Sequence, residues 1–304
     1  MTLTHERKPE PLLTHAVNVF SAHPESQHVL AQAVTLETIQ RAKDAAKNAG
    51  IDVEVVAVCY EEDRHLVQEP WTIGVLPNRS ILDFGTFAKP RRYPLLGDIL
   101  IAAQAAGRGR FLTYSNIDIA VQPQFYVRLA EIVQRGGATN GVVINRRTIG
   151  AYGSISALEA MYADPGKQHP GYDCWTFPRE WVSRMVLGSV CVGHFWFDLL
   201  LLANVSLLGG NRLLVLKDQQ WTFHIGDDVV WNQQSDYSEH NRLESLKAVQ
   251  ELARREGVKP YGTWADWLEL KTQGQKTKVR RLLLEARRQA HLVKLAVKLG
   301  RRYT

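Results

Sequence analysis

The segment Phe111-Leu-Thr-Tyr-Ser-Asn-Ile-Asp-Ile119 closes an apolar strand pattern on Asn116 and Asp118, two residues apart and therefore expected on one side of the strand. A carboxylate and an amide oxygen in that position suit a hard divalent cation bridging a diphosphate, whose departing charge the metal neutralises. The same pair would equally serve as a strand cap for backbone donors. His169-Pro-Gly-Tyr-Asp173 leads into Cys174-Trp-Thr-Phe-Pro-Arg179, an acid followed by aromatic residues. Tyr172 and Trp175 there could stack a sugar ring, or a Pro-Gly turn could pack them into the core. Gly193-His-Phe-Trp-Phe-Asp198 sets an acid at the head of an apolar helix pattern, Leu199 to Leu208. A dry setting raises a carboxyl pKa, which suits a general base for an acceptor hydroxyl; backbone amides could instead hold the group. His224, in the short strand pattern Trp221-Thr-Phe-His-Ile-Gly-Asp227, is either a ligand or a structural histidine. Lys89-Pro-Arg-Arg92 and Arg146-Arg147 carry guanidinium forks that match phosphate oxygens, unless solvent alone holds them.

These groups need elements to carry them. Ala16 to Phe20 reads as a strand, Val29 to Ala49 as a helix ending at Asn48-Ala-Gly50, and Val53 to Tyr60 as a β-branched strand, which together make a βαβ unit. After a loop from Pro77 to Pro94 the alternation resumes: helix Leu95 to Ala106, strand Phe111 to Ser115, helix Pro123 to Arg135, strand Gly141 to Asn145. Alternation of this kind predicts an α/β fold with a mostly parallel sheet covered on both faces. Ligands then gather beyond the carboxyl ends of the strands, at His23, Glu61 to Arg64, Asn116 to Asp118 and Asn145 to Arg147. The second half is less regular, with a helix from Arg242 to Glu256.

The composition narrows the classes. In 304 residues, 45% hydrophobic and 22% charged content is that of a globular chain. Cys59, Cys174 and Cys191 are odd in number and lack ligand spacing, which predicts neither a disulfide framework nor a zinc site. No apolar region in the first eleven residues suggests a secretory signal, so a cytoplasmic setting is expected. Val186 to Gly210 is long enough to span a bilayer but carries His194, Asp198 and Asn204, and reads as buried core. The net charge of +6 is uneven: residues 276 to 304 hold ten Lys or Arg and one acid, leaving the rest of the chain at −3. A nucleic-acid groove is therefore not expected. Val279, Leu282, Leu283, Ala286, Ala290, Val293 and Val297 make that tail a basic amphipathic helix, suited either to an anionic membrane surface or to docking on the body.

Taken in order, Asn116-Ile-Asp118, the aromatic segment after Asp173, Asp198 ahead of a helix and the late His224 resemble the GT-A class of glycosyltransferases. More narrowly they resemble a bacterial group with a Tyr-x-Asn-x-Asp-Ile strand end, over about Ala16 to Asp228. The resemblance implies a single GT-A-like, Rossmann-like domain over 12 to 260 with C-terminal helices, and a separate tail over 261 to 304. It implies a nucleotide-sugar donor, with Mn2+ or Mg2+ held by Asp118, Asn116 and His224. Asn116 stands where the family's first Asp would be. Ala22, His23, Asp63 and Arg92 would lie near the nucleotide, Asp98 near the donor sugar, and Asp198 or Asp173 would act as base. The acceptor would be a glycan or glycolipid intermediate of cell-surface polysaccharide synthesis, met at the inner face of the membrane. A nucleotidyltransferase is disfavoured by the lack of a Gly-rich phosphate loop after the first strand. The alternative is a catalytically silent scaffold that binds membrane or polyanion through the tail.

Overall fold

The computed structural model describes residues 10 to 257, apart from 68, 137–140, 170, 210–212, 218 and 227–234. In chain order the elements are β1 Leu13–Asn18, α1 Gln27–Asn48, β2 Val53–Cys59, β3 Thr72–Val75, α2 Leu96–Ala106, β4 Phe111–Ser115, β5 Ala120–Val121, α3 Phe125–Gly136, β6 Val142–Ile144, β7 Arg147–Ile149, α4 Leu158–Ala163, β8 Lys167–Gln168, β9 Cys174–Pro178, α5 Phe197–Gly209, β10 Leu214–Leu216, β11 Thr222–Ile225 and α6 Asp236–Arg255. Seven strands form the main sheet in the order β10-β6-β9-β4-β1-β2-β3, and β5-β11-β7-β8 form a smaller one. All neighbours in the main sheet run parallel except β9, which is antiparallel to both β4 and β6. The expected mostly parallel α/β sheet is present, and its β3-β2-β1-β4 half has the strand order of a doubly wound nucleotide fold.

Burial on both faces explains why these strands lack a clean alternation. Leu13, Val17, Val53, Val55 and Ala57 pack beneath α1 and α3, against Ile39, Ala42, Phe125, Leu129 and Val133. Ala16, Val56, Val58 and Leu112 face the other way, onto α2, α5 and α6 through Leu96, Ile99, Leu200, Leu201 and Leu252. α3 keeps its apolar residues on one stripe, Phe125, Tyr126, Leu129, Ala130 and Val133, as a helix covering a sheet must. α5 is apolar nearly all round and most of it is buried, so the reading as core holds for the helix, while 192–196 ahead of it are part-exposed or exposed. Among the described residues no helix is long and apolar enough to cross a membrane. Asn204, one of the polar interruptions, pins α5 to the preceding segment: it accepts from Val186 N (2.8 Å) and donates to Val186 O and Leu200 O, both 3.0 Å away. Gly141 lets the helix sit close, since a Cβ there would lie 2.3 Å from Val205 Cγ1.

Three expectations are corrected. The first strand begins at Leu13, not Ala16, because Thr14 and His15 disguise its start. Both are satisfied inside: Thr14 donates to Glu54 (3.1 Å), while His15 is bonded to Tyr126 Oη (2.6 Å) and Ser115 Oγ (2.9 Å). Burial pushes the His15 imidazole down to about 3. The aromatic run after Asp173 is a central strand, β9, not an open face. Residues 116 to 119 form a turn closed by Ile119 N to Asn116 O (3.1 Å), so strand alternation does not set the directions of Asn116 and Asp118. The basic tail, both arms of its membrane or docking reading, and Asp227–Asp228 lie outside the described residues.

Candidate active site

The carboxyl ends of β1, β2, β3, β4 and β6 share one edge of the main sheet. Because β9 runs the opposite way, its beginning lies at that edge too: Cys174 pairs with both Ser115 and Ile144, which brings Asp173 beside the ends of β4 and β6. The smaller sheet supplies the rest. β5 follows the Asn116–Ile119 turn, and β11 is registered against it through Phe223 and Ala120. His224, the next residue, pairs with Thr148 of β7, and its Nε2 stands 3.5 Å from Asp118 Oδ2.

Arg146, only 3% exposed, directs its guanidinium onto Asp173 Oδ1 at 2.5 Å. His169 Nδ1 lies 3.6 Å from the other oxygen of that carboxylate. Burial alone would raise the Asp173 pKa, but the charge of Arg146 and the bond and charge of His169 outweigh it and hold the group ionised below the ordinary carboxylate range. Asp118 behaves alike: burial opposes its charge, while the hydrogen bond and charge of His224, with the charge of Arg146, bring the pKa below the ordinary value. Asp198, in the first turn of α5, goes the other way. Burial, reinforced by the negative charge of Asp173 and opposed by the Leu199 backbone N–H, pushes it up to about 6. The residue as a whole is part-exposed.

A divalent cation is tested against these donors by what they leave unmatched. Asp118 Oδ1 and His224 Nδ1 are buried without a hydrogen-bond partner, a costly condition for a carboxylate oxygen. Among the described residues no group of three or more His, Cys, Asp or Glu could hold a metal. The Asp118 carboxylate suits an open site at which a hard cation takes its remaining oxygens from a phosphate ligand and water, while the His224 imidazole suits a softer metal. Asn116 points its Oδ1 to the Tyr114 hydroxyl at 3.3 Å.

The other sequence-predicted residues lie at the ends of β1 to β3 or beyond them. Ala22 and His23 are on the loop after β1, with His23 exposed. Asp63 ties that loop to the turn after β2 by accepting from Ser21 N (3.1 Å) and Ser21 Oγ (2.5 Å). Asp98, at the start of α2, is gripped by both forks of Arg79 at 2.8 and 2.6 Å. Arg92 bonds Glu62 and Asn78 and lies 3.8 Å over the Tyr60 ring.

Tyr172 and Trp175 are 3% and 0% exposed, and Trp175 stacks on Tyr114 inside the core. They offer no face to a sugar, because both side chains are packed into the core cluster beneath α2, α5 and α6. Sequence reasoning weighed Arg146 only as a phosphate contact and missed its pairing with Asp173, 27 residues on. It also missed Trp196, whose φ of +86° puts a bulky residue in the left-handed region. Such a backbone costs about 1–3 kcal/mol and persists only where its surroundings enforce it.

No family model and no curated protein matches the sequence. Among solved structures the chain is similar to Staphylococcus aureus TarS 1-349, at 10% identity and TM-score 0.49, covering 89% of this chain and 69% of that one. It is similar to the same protein in complex with UDP-GlcNAc, at 12% identity and TM-score 0.46, over 89% and 83% of the two chains. It is also similar to glucosyl-3-phosphoglycerate synthase from Mycobacterium tuberculosis in complex with Mn2+, UDP-glucose and phosphoglyceric acid, at 12% identity and TM-score 0.42, over 84% and 82%. At such identities the likeness is one of chain path, and it assigns no residue a role.

Proposed function

We propose that this chain transfers a hexosyl-type sugar from a nucleoside-diphosphate donor to a hydroxyl of a glycan or glycolipid intermediate. One observation carries the reading: at the carboxyl edge of a doubly wound sheet, Asp118 Oδ1 and His224 Nδ1 are buried and unmatched, and the charge of Asp173 acts both on Asp118 and on a part-exposed acid, Asp198, whose pKa is raised. Asp118 and His224 would hold the cation, with Asn116 at the same turn. A divalent cation bound there neutralises the charge that develops on the departing diphosphate. Ala22, His23, Asp63 and Arg92 border the nucleotide. Asp98 serves the donor sugar through Arg79, whose half-exposed guanidinium it fixes.

Of the two acids proposed as base, Asp198 is favoured. Asp173 is committed to Arg146 and His169 and held ionised, which makes it a weak base, whereas a carboxylate near pH 6 accepts a proton more readily. Asp173 then has a second effect, since its charge helps to raise Asp198. In an inverting transfer Asp198 removes the acceptor proton as the hydroxyl attacks the anomeric carbon, and the diphosphate leaves with the bonding electron pair.

The test is thermal unfolding of the full chain with uridine, guanosine and thymidine diphosphates and their sugars, with and without Mn2+. A ligand at a hundred times its Kd stabilises the native state by about 2.7 kcal/mol, on the order of 4 °C for a chain of this size. A manganese-dependent rise with one base is the expected result. No shift with any nucleotide removes the proposal in favour of a silent scaffold.

A further inference from the structure

Arg92 reaches the ends of β2 and β3 from a segment with no regular structure of its own. Residues 84 to 92, between β3 and α2, form neither strand nor helix. The backbone bonds that a strand partner would supply come instead from the first turn of α6, 146 and 148 residues further on. Asp236 Oδ2 accepts from Ala88 N at 2.7 Å. The Tyr237 hydroxyl accepts from Arg91 N at 2.7 Å and donates to Lys89 O at 2.8 Å. A phenol can donate and accept at once, so this one group satisfies a carbonyl and an amide on either side of Pro90, which has no N–H of its own. The Tyr237 residue is 4% exposed, and its ring stacks on Phe87 with centroids 4.1 Å apart and on His194 at 4.7 Å, and meets Tyr93 edge-on at 5.0 Å.

The two parts of Tyr237 therefore have different work. The ring packs in a small core cluster with Ile81, Phe87, Leu95 and Cys191. The hydroxyl closes the Lys89–Arg91 turn, immediately before Arg92. From that turn Arg92 bonds Glu62 and Asn78, the latter at 2.6 Å, and lies 3.8 Å over the Tyr60 ring, with its side chain 37% exposed. Ordering a long side chain together with its backbone at the moment of binding costs entropy, so an arginine offered from a fixed backbone binds more tightly than one on a loose loop.

We infer that Tyr237 is a positioning residue for donor binding: its hydroxyl fixes the Lys89–Arg91 turn so that Arg92 is held ready at the nucleotide. The inference rests on the transferase reading, in which Arg92 borders the nucleotide.

The test is a double-mutant cycle on the full chain, with the Kd of uridine, guanosine and thymidine diphosphates measured by calorimetry in the presence of Mn2+. Tyr237→Phe keeps the ring and its stacking and removes only the hydroxyl. For the diphosphate that wild type binds, Kd should rise about three- to tenfold in Tyr237→Phe and about tenfold in Arg92→Met. In the double variant it should rise no further than in Arg92→Met alone, because without a guanidinium to place the hydroxyl has nothing to act through. The donor KM, read from release of nucleoside diphosphate, should rise with Kd in Tyr237→Phe while kcat stays within about twofold. Asp236→Ala, which frees Ala88 N from the same turn of α6, should weaken binding in wild type and be equally silent in Arg92→Met, and so tests the inference even where Tyr237→Phe folds poorly.

An unchanged Kd in Tyr237→Phe, an unchanged Kd in Arg92→Met, or effects that multiply in the double variant would each overturn the inference and leave the transferase reading standing. Absence of binding by wild type to all three diphosphates would remove that reading and the inference with it.

Discussion

Two regions share the carboxyl edge of the main sheet and treat their charges in opposite ways. At the ends of β1 to β3 the acids have partners from the protein: Asp63 has Ser21, Asp98 has Arg79, and Glu62 has Arg92. At the ends of β4 and β6 the charges are deeper, yet the Asp118 and His224 atoms are left unmatched and Asp198 is kept protonated well above its ordinary pKa. The first region is finished by folding alone. In the second, Asp173 has Arg146, but folding leaves Asp118 Oδ1 and His224 Nδ1 buried without a hydrogen-bond partner.

The largest effect that separates the two regions should come from Asp118→Ala. Loss of several kcal/mol of charge stabilisation lowers nucleotide-sugar turnover by on the order of a thousandfold, measured as release of nucleoside diphosphate, while the unfolding midpoint stays nearly constant. Full activity in that variant would erase the contrast. Next comes Asp198→Asn, which should cost about 10²- to 10⁴-fold in turnover. The wild-type rate should rise with pH through about 6 as Asp198 loses its proton. Stability moves the other way: the folded pKa is raised, so the native state holds a proton that the unfolded chain has released, and stability falls as pH increases from about 4 to 6 and stays lower above. Removing that charge should raise stability at pH 8 by about 1 kcal/mol after allowance for partial exposure, read as a higher denaturant midpoint. The smallest effect is expected on the matched side. Asp98→Asn loosens Arg79, half in solvent, and should raise the donor KM about three- to tenfold with kcat nearly unchanged and a loss of about 1 kcal/mol in stability. A collapse of kcat there would mean that the matched region also takes part in the chemistry.

Legibility in the sequence divides along the same line. The parallel half was readable because its signals are local: the β-branched run Val53–Cys59, the glycine after α1 and the apolar stripe of α3 each declare an element within a dozen residues. The strand that ends just before Asn116 and the apolar run of α5 were readable for the same reason. β9 was not, since a strand buried on both faces has no period of two, and Pro178 and the aromatics suggest a loop or pocket as easily as a strand. β5, β7 and β8 have only two or three residues each, too few to carry a pattern. The Arg146–Asp173 pair depends on β6 and β9 being neighbours, which no spacing along the chain encodes. The left-handed Trp196 is invisible for a different reason: the residue type argues against the conformation that its surroundings impose.

The antiparallel placement of β9 also has a kinetic meaning. β6 touches the rest of the main sheet only through β9, and β10 only through β6. β4 ends about sixty residues before β9 begins, so that pairing closes a long loop and comes at a high entropic cost. Asp173 and Arg146 share an edge only where β6 pairs with β9, so their ion pair depends on that local antiparallel contact. A chain with β1 to β4 paired and β6 apart from β9 would carry half of the main sheet and no Arg146–Asp173 pair.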